Sequence, residues 1–234
     1  MRGTFVGLGG WLKNSFIDYP GTVSTVLFFS GCNLRCPYCH NKILVNRTVD
    51  QSMLSEQIWA FLEARRGLIE GVVLSGGEPT LYPYLADVVR EMRAMGLRVK
   101  LDTNGLLPDI TETFAADYLA LDVKTVPRLY AAALGATLDD IEGRLEKSVA
   151  MVRNMGENAE VRITVAPRIV DISIIRELRP LLAGVSKVML QPMNQRTELL
   201  DPSFETLPLV PAEEIRQMRD ILAESVGRCV VRDG

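Results

Sequence analysis

No apolar run in this chain approaches the ~18 residues needed to cross a bilayer, and its N-terminus lacks a signal-peptide pattern. The expectation is a cytoplasmic protein with no membrane partner. Net charge is also scarce. The 26 basic side chains nearly balance 29 acidic ones, for a net −3, which gives no reason to expect nucleic acid as partner. Internal repeats, linkers and low-complexity segments are missing, so residues 1–234 read as one domain. Cysteine is scarce too: there are four, with none between residues 40 and 228. That gap excludes a second cysteine-held cluster in the body of the chain. In a reducing compartment, the grouping of the other three favours metal binding over disulfides. Apolar residues at 47% and charged residues at 24% are ordinary for a globular protein with a full core.

What is present starts with a glycine-rich extension over residues 1–21, read as a short strand or hairpin. Gly7-Leu8-Gly9-Gly10 is not a dinucleotide fingerprint, because Leu12 stands where a third glycine would fall. From residue 22 to 226 the pattern alternates. Strands are expected at 22–29, 71–75, 97–101, 117–123, 159–165 and 186–191. Helices are expected at 51–66, 82–95, 108–115, 138–154, 173–183 and 211–224, the first with Leu54, Ile58, Trp59 and Leu62 on one face. The last helix opens on Pro211 with Glu213 and Glu214 in its first turn, as helix starts prefer. Several strands are near-continuous apolar runs, which suits a parallel sheet covered on both faces. Six strand–helix units of this kind form either a curled barrel or a doubly wound plane.

The polar residues fall where such folds do chemistry, at the C-terminal ends of strands. The first strand runs into Cys32-Asn33-Leu34-Arg35-Cys36-Pro37-Tyr38-Cys39-His40. The second ends at Ser75-Gly76-Gly77-Glu78-Pro79, the third at Asp102-Thr103-Asn104-Gly105 and the fourth at Asp122-Val123-Lys124. The fifth carries Arg162 and Thr164, and the sixth ends at Gln191. Each has a bland reading. Cys32, Cys36, Cys39 and His40 match a structural zinc in residue type, but a single knuckle lacks its second half and His40 is awkwardly adjacent to Cys39. Gly76-Gly77 and Asn104-Gly105 read as plain turns. Asp122 and Lys124 read as a surface pair on one strand face, and Cys229 as a small buried hydrophobe. Three soft thiolates can instead hold three corners of a four-iron cluster and leave the fourth iron open. The other strand ends then have a ligand to serve.

On these residues the chain resembles the radical S-adenosylmethionine (SAM) superfamily. The carriers are the Cys-x3-Cys-x2-Cys spacing with aromatic Tyr38 before the third cysteine, and Gly76-Gly77-Glu78-Pro79 after the second strand. Ile17-Asp18-Tyr19-Pro20-Gly21, Cys39-His40-Asn41, Asp102-Thr103-Asn104-Gly105 and Leu121-Asp122-Val123-Lys124 make it similar to the glycyl-radical-enzyme activases within it. Among these it most resembles those that act on anaerobic ribonucleoside-triphosphate reductase. The resemblance implies a partial (β/α)6 barrel, with a [4Fe–4S] cluster on Cys32, Cys36 and Cys39 and SAM chelated to the open iron. It also implies a low-potential donor such as flavodoxin or ferredoxin. Gly76, Gly77 and Glu78 would receive the SAM ammonium, Lys124 and Arg162 its carboxylate or ribose, and the backbone around Tyr38 and His40 its adenine. Thr103, Asn104, Asp122 and Gln191 complete the implied SAM site. Asp102, Thr103 and Asp122 would bind Na⁺ or K⁺, since two carboxylates beside a carboxylate ligand repel without a cation between them. Asp18 would contact the substrate loop of a glycyl radical enzyme. Competing readings are a small-molecule enzyme like 7-carboxy-7-deazaguanine synthase, the activase of another glycyl radical enzyme such as pyruvate formate-lyase, and an electron-transfer or scaffold protein.

Overall fold

The computed structural model describes residues 3–46 and 55–232. The chain divides into two compact units. The first comprises Met1–Cys32, Ile43–Thr103 and Asp109–Leu119; the second comprises Asn33–Lys42, Asn104–Pro108 and Ala120–Gly234.

In the first unit β1 (Leu8–Ser15) lies antiparallel to β2 (Ser24–Phe29), with Leu8 opposite Phe29 and Ser15 opposite Ser24. The glycine-rich extension thus becomes the edge strand. β2, β3 (Gly71–Gly76) and β4 (Arg98–Thr103) are parallel and in register, Phe29 beside Gly76 and Leu74 beside Leu101. Val26, Leu27, Val72, Val73, Leu74, Val99 and Leu101 are all buried. This is the result expected of apolar strands covered on both faces. The helix α1 (Lys42–Val45) is a single turn, and α2 (Ser55–Ala64) buries Ile58, Trp59 and Leu62. The predicted start of α2 at residues 51–54, Leu54 included, lies outside the described residues. The Trp59 indole N–H donates to the Gly3 carbonyl at 2.7 Å. In α3 (Leu85–Ala94) the buried set Leu85, Val88, Val89 and Met92 follows the helical period.

α4 (Pro108–Thr113) precedes β5 (Tyr118–Asp122), within which the chain passes into the second unit. There the Val123 N–H donates to the Arg162 carbonyl at 3.0 Å, joining the end of β5 to β6 (Ala159–Val165). β6, β7 (Lys187–Pro192) and β8 (Arg228–Val231) are parallel, Thr164 beside Gln191 and Leu190 beside Val231. A short helix α5 (Tyr130–Leu134) precedes α6 (Ile141–Met155). α7 (Ile172–Leu182) is capped by Asp171, whose carboxylate accepts the Ile174 N–H at 2.8 Å. α8 (Ala212–Ala223) starts after Pro211 and packs on α7 and β8. The six expected strand–helix units are present, so the fold is α/β with a parallel sheet. β8 and α5 were not anticipated. Cys229, expected to be buried, is only half-buried on β8. Among the described residues no helix is long and apolar enough to cross a membrane.

Candidate active site

In the first unit the parallel register brings the end of β2, the Gly76–Glu78 turn and the end of β4 to one rim. Their backbones are wired together: the Gly77 N–H donates to Phe29 O at 2.7 Å and the Glu78 N–H to Gly31 O at 2.9 Å. A Cβ on Gly77 would lie 2.0 Å from Gly31 O, and one on Gly76, whose φ is +111°, 2.5 Å from Phe29 N. Both glycines are therefore demanded by the approach to Cys32, whatever they also do for a ligand. Gly31 is held from the other side, its N–H donating to Leu44 O at 2.6 Å.

Glu78 is 1% exposed. Its Oε1 accepts from Thr80 N at 3.1 Å, Thr80 Oγ1 at 2.6 Å and Thr103 Oγ1 at 2.8 Å. Thr103, expected as a cation ligand, thus serves Glu78. Asp102 accepts from Ser75 Oγ at 3.0 Å and is ion-paired with the buried Lys100. Asp18 lies beyond the Ser15 end of β1, at the far end of β2 from the cysteine loop, and accepts from Ser15 Oγ at 2.5 Å. Tyr19 beside it is a core residue, packed with Val26, Val73 and Tyr118.

The second unit holds the rest. Asn104 donates from Nδ2 to Asn33 Oδ1 at 2.7 Å while its own Oδ1 accepts the Leu106 N–H at 3.0 Å. It therefore positions the residue that follows Cys32. Gly105 has φ +75°, and a Cβ there would strike Leu121 at 2.3 Å. The Arg35 N–H donates to Leu134 O at 2.7 Å, and the Cys39 N–H to Cys36 O at 3.0 Å. A segment the sequence did not point to, after β7, straps this loop: Leu200 N–H donates to Cys39 O and Asp201 N–H to Pro37 O, each at 2.9 Å. Leu199 is buried, its N–H bonded to Glu205, and Glu198 pairs with Lys42.

Asp122, Lys124 and Arg162 form a largely buried triad, 14–21% exposed, rather than a surface pair. Arg162 Nε donates to Asp122 Oδ1 at 2.8 Å, and Lys124 Nζ lies 3.1 Å from Oδ2. Burial alone would raise the Asp122 pKa, but the two cations overcome it and hold the carboxyl well below the usual range. Burial would lower Lys124; Asp122 and nearby Cys36 raise it instead. The triad thus carries one net positive charge beside Cys36. Each of the two carboxylates thus has a cation of the protein beside it, Lys100 at Asp102 and Lys124 with Arg162 at Asp122. Gln191 donates from Nε2 to Thr164 Oγ1 at 3.0 Å. His40 is exposed, its pKa lowered by desolvation and by Lys124.

Burial pushes the Cys36 thiol up to about 11 and also raises Cys39. The Tyr38 hydroxyl is buried beside Cys36 and has no hydrogen-bond partner among the described residues. No three His, Cys, Asp or Glu side chains among the described residues converge on a point where one ion could sit. A soft thiolate set and a buried hydroxyl waiting beside one sulfur fit an iron–sulfur cluster.

The profile of the radical SAM superfamily matches residues 26–179. The chain belongs to that superfamily. As a radical SAM enzyme it is one of a family whose members use a [4Fe–4S] cluster and SAM. It is 28% identical over 96% of its length to a Methanocaldococcus jannaschii protein provisionally named a glycyl-radical enzyme activating enzyme, covering 95% of that protein. Identity to the pyruvate formate-lyase-activating enzyme of Clostridium pasteurianum is also 28%, over 88% of this chain and 87% of the other. A 7-carboxy-7-deazaguanine synthase of Methanopyrus kandleri is 27% identical over 89% of this chain and 86% of its own. In fold, the chain matches the crystal structure of QueE from Escherichia coli with TM-score 0.55 at 14% identity, covering 97% of this chain and 93% of that one.

Proposed function

We propose that this radical SAM enzyme generates a glycyl radical on a partner enzyme, with anaerobic ribonucleoside-triphosphate reductase as the partner. One observation carries the reading: the end-to-end relationship, in both directions, to a protein provisionally named as an activase of glycyl-radical enzymes. Residues 1–234 act in it as one radical SAM domain.

Cys32, Cys36 and Cys39 hold the cluster. When bound, it supplies the electron that splits SAM into methionine and a 5′-deoxyadenosyl radical. The chain's own residues bind and shield. Gly76, Gly77 and Glu78 face the SAM ammonium, Glu78 with its carboxylate oriented by Thr80 and Thr103. The net positive triad offers Lys124 and Arg162 to the SAM carboxylate or ribose. Tyr38 and His40 backbone meets the adenine, and Thr103, Asn104 and Gln191 complete the pocket. Asp18, expected to contact the partner's glycine loop, lies at the opposite end of β2 from the cysteine loop and is not placed to meet a glycine where the radical forms. A low-potential flavodoxin or ferredoxin delivers electrons. A Na⁺ or K⁺ beside the SAM carboxylate takes Asp102 and Asp122 only if Lys100 and Lys124 release them; equal rates in cation-exchanged buffer remove it from the scheme.

The test is anaerobic reconstitution, reduction by dithionite and electron paramagnetic resonance with candidate glycyl-loop partners. A glycyl doublet with the reductase supports the reading, and a doublet only with pyruvate formate-lyase reassigns the partner. The relative from Methanopyrus kandleri favours a second reading, a small-molecule ring contraction. That reading predicts 5′-deoxyadenosine with no protein radical on any partner.

A further inference from the structure

Tyr38 occupies the aromatic position between two cluster cysteines, and its side chain turns into the protein. It is 6% exposed, with its hydroxyl oxygen fully buried and without a hydrogen-bond partner among the described residues. A buried hydroxyl in that state is costly and asks for an explanation. Its polar neighbours in the second unit are Cys36, Tyr130 and Asp122. Two of the three are engaged. Tyr130 Oη accepts the Lys124 N–H at 3.0 Å, and both Asp122 oxygens are taken by Arg162 and Lys124. The Cys36 sulfur is the neighbour that acts on the hydroxyl most strongly.

A neutral thiol sulfur is a weak acceptor, whereas a metal-bound thiolate carries negative charge and accepts well. Tyr38 and Cys36 already act on each other here, and the contact becomes a full hydrogen bond when Cys36 is a ligand. The ring cannot easily swing away, because the strap fixes the backbone on both sides of it, at Pro37 O and Cys39 O.

We propose that the Tyr38 hydroxyl donates a hydrogen bond to the ligating Cys36 sulfur and thereby raises the reduction potential of the cluster. A donor to a ligand sulfur draws off charge and favours the reduced, more negative state. The proposal rests on the three cysteines holding that cluster. Tyr38 is a positioning and tuning residue, and the Lys124 charge near Cys36 acts beside it.

The experiment compares reconstituted wild type with Tyr38→Phe, which removes only the hydroxyl. Iron and sulfide content is measured first, then the midpoint potential by redox titration followed by electron paramagnetic resonance. The expected result is unchanged loading and a roughly tenfold fall in the reduction equilibrium constant, about 59 mV for one electron. An exchangeable-proton coupling present in wild type should vanish. A loaded variant with wild-type potential overturns the proposal. Should the variant fail to load, 3-fluorotyrosine at position 38 decides: a stronger donor of nearly the same shape must raise the potential, and an unmoved value overturns the idea. Wild type without bound iron and sulfide would sink the cluster reading itself, a distinct result.

Discussion

Arg162 Nε meets Asp122 Oδ1 at 2.8 Å, from the middle of one strand to the end of its neighbour, forty residues apart in sequence. With Lys124 on the other oxygen, a single carboxylate serves two largely buried cations, and the three groups sum to one positive charge. The anion is what makes it tolerable to keep both cations here. Removing one partner of such a buried pair is more damaging than replacing all of it.

Asp122→Asn should therefore destabilise the protein by about 3–5 kcal/mol, read by urea or thermal unfolding, and abolish SAM binding. Because the folded pKa of Asp122 lies below its unfolded value, the stabilisation is complete above the unfolded carboxylate range and is lost only as pH falls through the lower folded value. The gap between wild type and variant should persist across neutral and mildly acid pH. A gap that closes by pH 5 would contradict the triad.

Cluster assembly should gain with alkalinity. Cys36 titrates near 11 and Cys39 is raised as well, both chiefly by burial, so each must lose a proton to bind iron. Iron affinity should climb between pH 7 and pH 9. The metal-free protein should show the opposite trend: with folded pKa values above the unfolded ones, its thiol contribution is present below about 9 and fades as pH rises towards 11. Flat iron affinity over that range would count against buried neutral thiols.

Gly77→Ala places a methyl 2.0 Å from Gly31 O, an overpacking expected to cost about 1–3 kcal/mol. Gly10→Ala, whose Cβ would make an ordinary 3.5 Å contact with Phe28, is the matched control. Iron content after reconstitution should drop for the first and hold for the second. Loss of SAM affinity with full iron content in Gly77→Ala would show that the ligand, and not the approach to Cys32, sets the demand for glycine.

Leu199→Ala should loosen the strap. The side chain is 1% exposed, and a buried Leu→Ala change costs about 2–5 kcal/mol. Faster loss of iron to a chelator, with cleavage by protease between residues 193 and 210, is the expected outcome. Chelation at the wild-type rate would mean that the bonds to Pro37 and Cys39 do not hold the loop.

Strands such as Gly71–Gly76 and Ala159–Val165 were legible because burial on both faces leaves an apolar run that propensity alone can read. Arg228–Val231 was not, since four residues carry too little pattern to separate a strand from a loop. Within the site, residue types at strand ends pointed to the rim, but not to how those residues are satisfied. Lys100 stands two before Asp102 on one strand face, the same spacing as Asp122 and Lys124, and that signal was there to find. Thr80 and Thr103 on Glu78 join two different strand ends, which no local pattern encodes. The strap escaped for a different reason: its contacts to Cys39 and Pro37 are made by backbone N–H groups, and these are identical in every residue but proline.

The strap also has a consequence for how the protein matures. Its donors at Leu200 and Asp201 leave the ribosome long after the acceptors at Pro37 and Cys39, because synthesis runs from the N-terminus. The nascent cysteine loop gains anchors at Asn104 and Leu134 first and must wait for these last two bonds through most of translation. Stable insertion of iron and sulfide then belongs to the finished chain, after β7 has been laid down, and a ribosome-stalled fragment ending before residue 199 should not retain them.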